Sequence, residues 1–561
     1  MLSSQAMCFR FMSILILLAA TSVAQTVVAD IIVTGGTILP LDLANSRPEA
    51  FAVKDGRILV WGTAEEIRRL QGPRTQMLDA TGRTVVPGFN DAHLHARPTY
   101  GFASQLGGVD LRPSAVRTMA EIIARLRDKA RLVPKGGWII GERYEDTKLG
   151  RHPNRADLDQ VSTDHFILLR HSSGHVSVVN SKALTAARIT KSTPDPAGGA
   201  FDRDANGEPN GVLREGPARN LVLRGCPPFP TATREQEREG LVDTFREYLA
   251  KGITSITDAG TSATALRTFQ EVVRSGAPAP RINALISAEH LPELKKLNLE
   301  QGFGNERLRI SGVKIFRGNS LSGATCWVSE PYAGRPDYFG IPPARSQAEL
   351  NALIGDSHAA GLQVAVHSNG DREITMVLEA IAAAQASLPR PDARHRIEHA
   401  SIMPVAMMRR AKDLGLILAL HSYLYEHGDK MEVYGEDRFA ILHAARTAWD
   451  LGIRIPGNSD SPVSAADPLL RIQSLVTRRS AEGKVYAAQQ RLTAEEALRS
   501  FTVHSAFASF EEQAKGTLEP GKLADFVVLS ANPLEVNSER IKDIRVERTF
   551  VGGRQMYPVT R

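Results

Sequence analysis

The sequence predicts an α/β fold: a (β/α)8 TIM barrel, a small β-sandwich built from both termini, and an insertion after the first barrel strand. Short alternating strands separated by Gly-Gly, Asp-Gly and Thr-Gly turns fill residues 31–86. From Val85 to Asp460 the pattern changes to apolar strand runs alternating with longer helical stretches, the signature of βαβ units. Near the far end, the runs 524–529 and 548–553 return to the first style, so the two termini can pair with one another.

Taken in order, residues 1–24 carry a single charge, Arg10, then the apolar run 11–20, then Ser22-Val23-Ala24. That order is the order of a secretory signal peptide. The apolar run is short for a membrane span, and nothing downstream has 18 consecutive apolar residues, so the expectation is a periplasmic or secreted protein with no membrane partner. The sandwich is expected from 25–85 with 510–561, and the barrel from 86–509. Eight runs read as barrel strands: Val85 to Phe89, Ile253 to Thr257, Ile282 to Ile286, Ile310 to Phe316, Gln363 to His367, His395 to His399, Leu416 to Leu420 and Ile453 to Pro456. Such a barrel needs about 250 residues. The excess falls between the first two runs, which places a capping insertion at about 97–235.

Composition narrows the function. Hydrophobic residues at 42% and charged residues at 23% are globular values. The 68 basic and 62 acidic groups, net +6, are spread along the chain without a basic run, which argues against a nucleic-acid partner. The partner expected is a small-molecule substrate, with a homodimer as the candidate assembly. Cys8, Cys226 and Cys326 show no CxxC-type spacing, so a thiolate metal cage is excluded and any metal must be held by His and carboxylates.

Those residue types gather at the predicted strand ends, where a barrel keeps its reactive groups. The first run leads into Asp91-Ala92-His93-Leu94-His95, and two imidazoles at i and i+2 on extended chain point to one side, a geometry that suits one metal ion. The fourth run sets Lys314 among apolar neighbours, where a free ammonium is costly. His367, His399 and Asp460 close the fifth, sixth and eighth runs. Each has a bland reading alone: a hydrogen-bonded core histidine, a snorkelling lysine, a turn aspartate. Their common placement favours a shared site.

This succession, with Gly312-Val313-Lys314-Ile315-Phe316, Arg396-Ile397-Glu398-His399-Ala400, Ser459-Asp460-x-Pro462 and the tail from Gly516 to Asp525, resembles the metal-dependent amidohydrolase superfamily, in the branch of the N-substituted formamide deformylases. The resemblance covers nearly the whole chain beyond residue 24. It implies that His93, His95, His367, His399 and Asp460 bind one or two divalent cations, with zinc the expected ion, and that Asp460 also serves as base. It implies too that Lys314 takes up carbon dioxide to become a bridging carbamate, a metal ligand with a part in catalysis. Zinc with an open position lowers the pKa of a bound water toward about 7.

Relatives continue after Phe316 with a small residue and Asp-Gly-Ser, whereas this chain reads Arg317-Gly318-Asn319-Ser320, so a cation stands near a missing carboxylate. Arg317 is therefore a candidate clamp for a substrate carboxylate, beside a structural reading of equal weight. Further candidates for substrate contact are His175 and Trp138 in the insertion, and His421 after the seventh run. The reaction expected is hydrolysis of an amide-type C–N bond in an N-substituted formamide, an N-acyl compound or a cyclic amide. Ester, lactone or carbamate hydrolysis at the same centre, and a non-catalytic periplasmic binding protein, are the alternatives.

Overall fold

A computed structural model describes residues 27–316 and 318–559. Residues 1–24, where a signal peptide is expected, and Arg317 lie outside the described residues. No helix among the described residues is long and apolar enough to cross a membrane.

The centre is a parallel sheet of seven strands in sequential order: Phe89–Leu94, Ile253–Thr261, Arg281–Ser287, Leu308–Phe316, Gln363–Ser368, Arg396–His399 and Ile417–Leu420. Most of their residues are buried, as parallel strands covered by helices require. The helices that cover them start at clear signals. Thr233 and Ser346 each accept from the backbone of the third helical residue, Gln236 and Glu349, whose side chains reach back to the cap, opening Arg234–Ala250 and Gln347–Ala359.

Two of the expected strand runs change. Val85 belongs to the terminal sheet strand Thr84–Pro87, and the first barrel strand begins only at Phe89. Pro87 has no N–H to give, and the N–H of Gly88 goes to Asp525, so the chain leaves one sheet for the other at that dipeptide. The run Ile453–Pro456 is not a strand. It occupies the eighth position, where Leu418 donates to Arg454 (3.1 Å) and Ala92 to Gly457 (2.9 Å). Pro456 cannot donate, and the Gly457 N–H turns out of the sheet to Ser500, so no ladder forms. A Cβ on Gly457 would lie 2.3 Å from the Phe501 ring, which fixes that residue as glycine.

The termini build two further sheets. One runs Arg57–Gly62, Ala50–Lys54, Ile31–Thr34, Gln76–Asp79; the other runs Thr37–Ile38, Thr84–Pro87, Phe526–Leu529, Val546–Val551, Arg554–Tyr557. They share one apolar core, in which Phe51 meets Phe526 edge-on at 5.3 Å and Phe526 stacks on Phe550 at 4.3 Å. Truncating Phe526 to alanine costs about 3–5 kcal/mol by the usual behaviour of buried aromatics.

Between the first and second barrel strands stands a separate six-stranded sheet, ordered Ala200–Arg203, Pro209–Arg214, Val176–Val179, Phe166–His171, Trp138–Tyr144, Val109–Asp110, with its own core around Ile139, Leu169 and Val178. A buried polar cluster docks it on the segment after the seventh strand. Lys430 pairs with Glu145 (3.2 Å) and with Asp146, His427 pairs with Glu145 (3.1 Å), and His171 pairs with Asp146 (2.9 Å). Glu145, Asp146 and His171 are spaced as metal ligands could be, but the Lys430 ammonium already serves as their cation.

Candidate metal centre

The ends of the first, fourth, sixth and seventh strands, with the loop after the eighth segment, converge on Asp460. His93 Nε2 lies 3.5 Å from Asp460 Oδ1, His95 Nε2 lies 3.3 Å from the same oxygen, and His421 Nε2 lies 3.5 Å from Oδ2. His399 stacks on His421 at 4.3 Å. Two three-residue groups have all their ligand atoms within 4.8 Å of one another: His93, His95 and Asp460, and His399, His421 and Asp460.

These spacings fit a metal. Asp460 Oδ1 is buried without a hydrogen-bond partner among the described residues, and so are the Nδ1 atoms of His399 and His421. Two ligands bound at about 2.0–2.2 Å to one tetrahedral ion stand about 3.3 Å apart, the separation seen here and longer than a good hydrogen bond. The imidazoles of His93, His421, His399 and His367 are also held neutral, as ligation requires. Burial, helped by the Lys314 charge, pushes His93 down to about 4, and burial pushes His421 down to about 3. Burial holds His399 and His367 well below the usual histidine range. Burial alone would raise Asp460, but the imidazoles of His95, His93 and His421 packed around it outweigh that and hold the carboxylate below its usual range.

Behind the histidines stands a residue whose role the sequence pattern did not single out. Glu398 meets Nδ1 of His93, while Arg396 grips the same carboxylate with two bonds of 2.6 and 2.9 Å. Arg396 also donates to the Ala92 carbonyl, pinning the first strand to the sixth. The signal was present, since Arg396 and Glu398 stand two apart on a strand and share a face. Asp91 plays a matching part, accepting from both the backbone and the hydroxyl of Ser459 next to Asp460. Both His399 and Asp460 hold a left-handed backbone, φ 75° and 51°, a strain that persists where the surroundings over-determine it.

The remaining candidates sort as follows. Lys314 is wholly buried, with Nζ 3.4 Å from His93 Nε2 and 5.0 Å above the Phe316 ring. Burial draws its pKa down to about 8. His367 joins by its ring, 4.4 Å from that of His399, but its Nε2 is hydrogen-bonded to the Asn319 carbonyl at 3.1 Å, so it belongs to neither ligand group. His421 joins the second ligand group. His175 stacks on His367 at 5.0 Å and is gripped at 2.6 Å by Glu215; burial would lower it, but the carboxylate prevails and raises it. Trp138 is not brought to the site. It is buried against Phe166 and Phe229 with its N–H on the Pro227 carbonyl, a core residue of the insertion.

In front of the centre a cavity of about 950 Å³ opens between the barrel and the insertion, reaching His95, His175, His367, His399 and Asp460. A much smaller pocket of about 20 Å³, lined by Ser320, His421 and Tyr423, also reaches Asp460.

Residues 76–557 match the amidohydrolase family. Over 537 residues the chain is 30% identical to YtcJ of Bacillus subtilis (strain 168), which carries the name of an amidohydrolase, covering 93% of this chain and 98% of that one. It is 28% identical to the N-substituted formamide deformylase of Arthrobacter pascens, covering 96% and 100%. Among solved structures, an uncharacterized metal-dependent hydrolase from Pyrococcus horikoshii OT3 superposes with a TM-score of 0.70 at 26% identity, covering 91% of this chain and 99% of that one. With a nearly closed parallel barrel, a convergent histidine and carboxylate set and a family match over most of its length, this chain belongs to the amidohydrolase family of metal-dependent hydrolases.

Proposed function

We propose that this chain is an exported hydrolase that cleaves an amide-type C–N bond in an N-substituted formamide, N-acyl compound or cyclic amide. The observation that carries the reading is Asp460, an ionised, buried carboxylate with a free oxygen facing His93 and His95 at the floor of a large cavity. The formamide deformylase of Arthrobacter pascens, aligned end to end with this chain, supports the choice of bond. The segment 1–24 supports export.

His93, His95, His399, His421 and Asp460 would hold the divalent ion, with zinc the expected one. When bound, such an ion supplies a Lewis acid and lowers the pKa of water toward about 7. Asp460 takes the proton of the attacking water and delivers it to the leaving nitrogen, a transfer typically worth about 10²- to 10⁴-fold. His175, gripped by Glu215 and stacked on His367, would donate toward the carbonyl oxygen. Lys314, an amine made less basic by burial and set beside His93, is placed to add its nitrogen to carbon dioxide with loss of one proton, giving an anionic carbamate.

Zinc, manganese or cobalt protein assayed on matched N-formyl amines and formate esters tests the reading. Amine release is the expected result. Ester turnover with no amine from any amide would overturn it.

A further inference from the structure

The wall of the large cavity is rich in guanidinium groups. Arg97, Arg143, Arg170 and Arg219 all line it. Arg170 is neutralised by Glu142 at 2.6 Å. Among the described residues, no ion pair engages Arg97, Arg143 or Arg219. Arg219 sits one helical turn after Glu215, on the same face of Glu215–Arg224. That carboxylate is already committed to His175 and Thr325. Arg219 therefore makes one backbone bond, to Gly174 at 3.1 Å, and keeps its other N–H groups for the cavity.

A second feature points the same way. The strands Trp138–Tyr144 and Phe166–His171 pair residue for residue until Arg170 meets Glu142, and the next pair is His171 with Tyr144. Arg143 is the extra residue of this bulge and holds φ 67°. Bulges beside active sites re-aim a side chain, and this one lies where Arg143 lines the cavity. Gathering like charges on a half-buried wall is unfavourable unless an anion joins them. Burial and the nearby Arg170 and Arg97 accordingly depress Arg219 from the usual arginine range.

We infer that Arg219, with Arg97 beside it on the same wall, binds a carboxylate carried by the substrate away from the scissile bond, so that the compounds cleaved are acidic amides. This deepens the proposed function and rests on that reading for the bond broken. A carboxylate is the matching anion, because Arg97, Arg143, Arg170, Arg219, Arg224 and Arg345 on the wall outnumber Glu142, Glu215 and Asp460. Guanidinium groups meet such a group bidentately.

The test compares N-benzylformamide with its 4-carboxy analogue. Their binding to the full chain, stripped of metal by a chelator, is measured by calorimetry, and amine release is measured with the zinc protein. The acid should bind roughly tenfold tighter or better, with the preference shrinking as salt is raised. Arg219→Gln should erase most of that preference. Where circular dichroism shows that this variant does not fold, Arg97→Gln is read for the same ratio. Equal affinities for the two compounds, or a preference untouched by the substitution, would overturn the inference. Binding preference without any amine release would sink the hydrolytic reading instead and leave this one standing.

Discussion

Glu398 meets Nδ1 of His93 from behind, and Asp460 meets Nε2 of the same ring from the front at 3.5 Å. The first contact puts the proton on Nδ1 and leaves the lone pair of Nε2 aimed at the cavity floor. Arg396 and His93 together overcome the burial that would otherwise raise Glu398, so the carboxylate stays ionised. A carboxylate behind a ligating imidazole orients the ring and raises its basicity.

Glu398→Gln should therefore weaken metal retention by about 10- to 100-fold while the barrel stays folded. Metal content after dialysis against graded chelator, beside a melting curve, reads both quantities. Full retention would show that Glu398 serves packing alone.

Asp460→Asn should lower kcat by about 10²- to 10⁴-fold, with a smaller change in KM. Steady-state kinetics on metal-replete protein provide the check. A loss confined to KM would assign Asp460 to binding.

Lys314 bears on the carbamate. Intact protein prepared under carbon dioxide should show one added CO2 by native mass spectrometry, absent from Lys314→Met. Because burial lowers the amine to about 8, a larger share is unprotonated near neutrality than for an exposed lysine, and uptake should rise between pH 6 and 8. An unmodified lysine at every pH would leave Lys314 as a buried amine beside His93.

The His175–Glu215 pair sets a pH dependence with a definite sign. The folded-state pKa of His175 is raised above 6.5, so the pair contributes its full stability below about 6.5 and loses it as pH rises through the folded value. Glu215→Gln should thus lower Tm more at pH 6 than at pH 9. Equal shifts at both would mean that the bond to Thr325, and not the ion pair, dominates.

Much of this site was legible because strand chemistry is local. The pair His93 and His95 reads directly from a spacing of two, and Lys314 betrays itself as a cation inside an apolar run. What escaped depends on contacts between distant segments. That His367 gives its Nε2 to the Asn319 carbonyl follows from how the loop after Phe316 folds back over the fifth strand, and that His421 comes to stand by Asp460 follows from the meeting of the seventh strand's end with the loop after the eighth segment. Trp138 reads equally well as a pocket aromatic or a core one, and packing against Phe229, nearly a hundred residues on, decides it. The eighth strand failed for a reason visible in the chain, Pro456 followed by Gly457, which outweighed an apolar run of the right length.

That missing ladder bears on how the molecule works. The stretch that delivers Asp460 is tied to its neighbours by scattered backbone bonds, among them Leu418 to Arg454, Ala92 to Gly457 and Asp460 to the His93 carbonyl. The staves bearing His93 and His399, by contrast, are stitched along their length. Asp460 is thus located by point anchors, the Ser459 clasp on Asp91 and its own N–H on the His93 carbonyl, so that loosening either should displace the carboxylate while the imidazoles keep station.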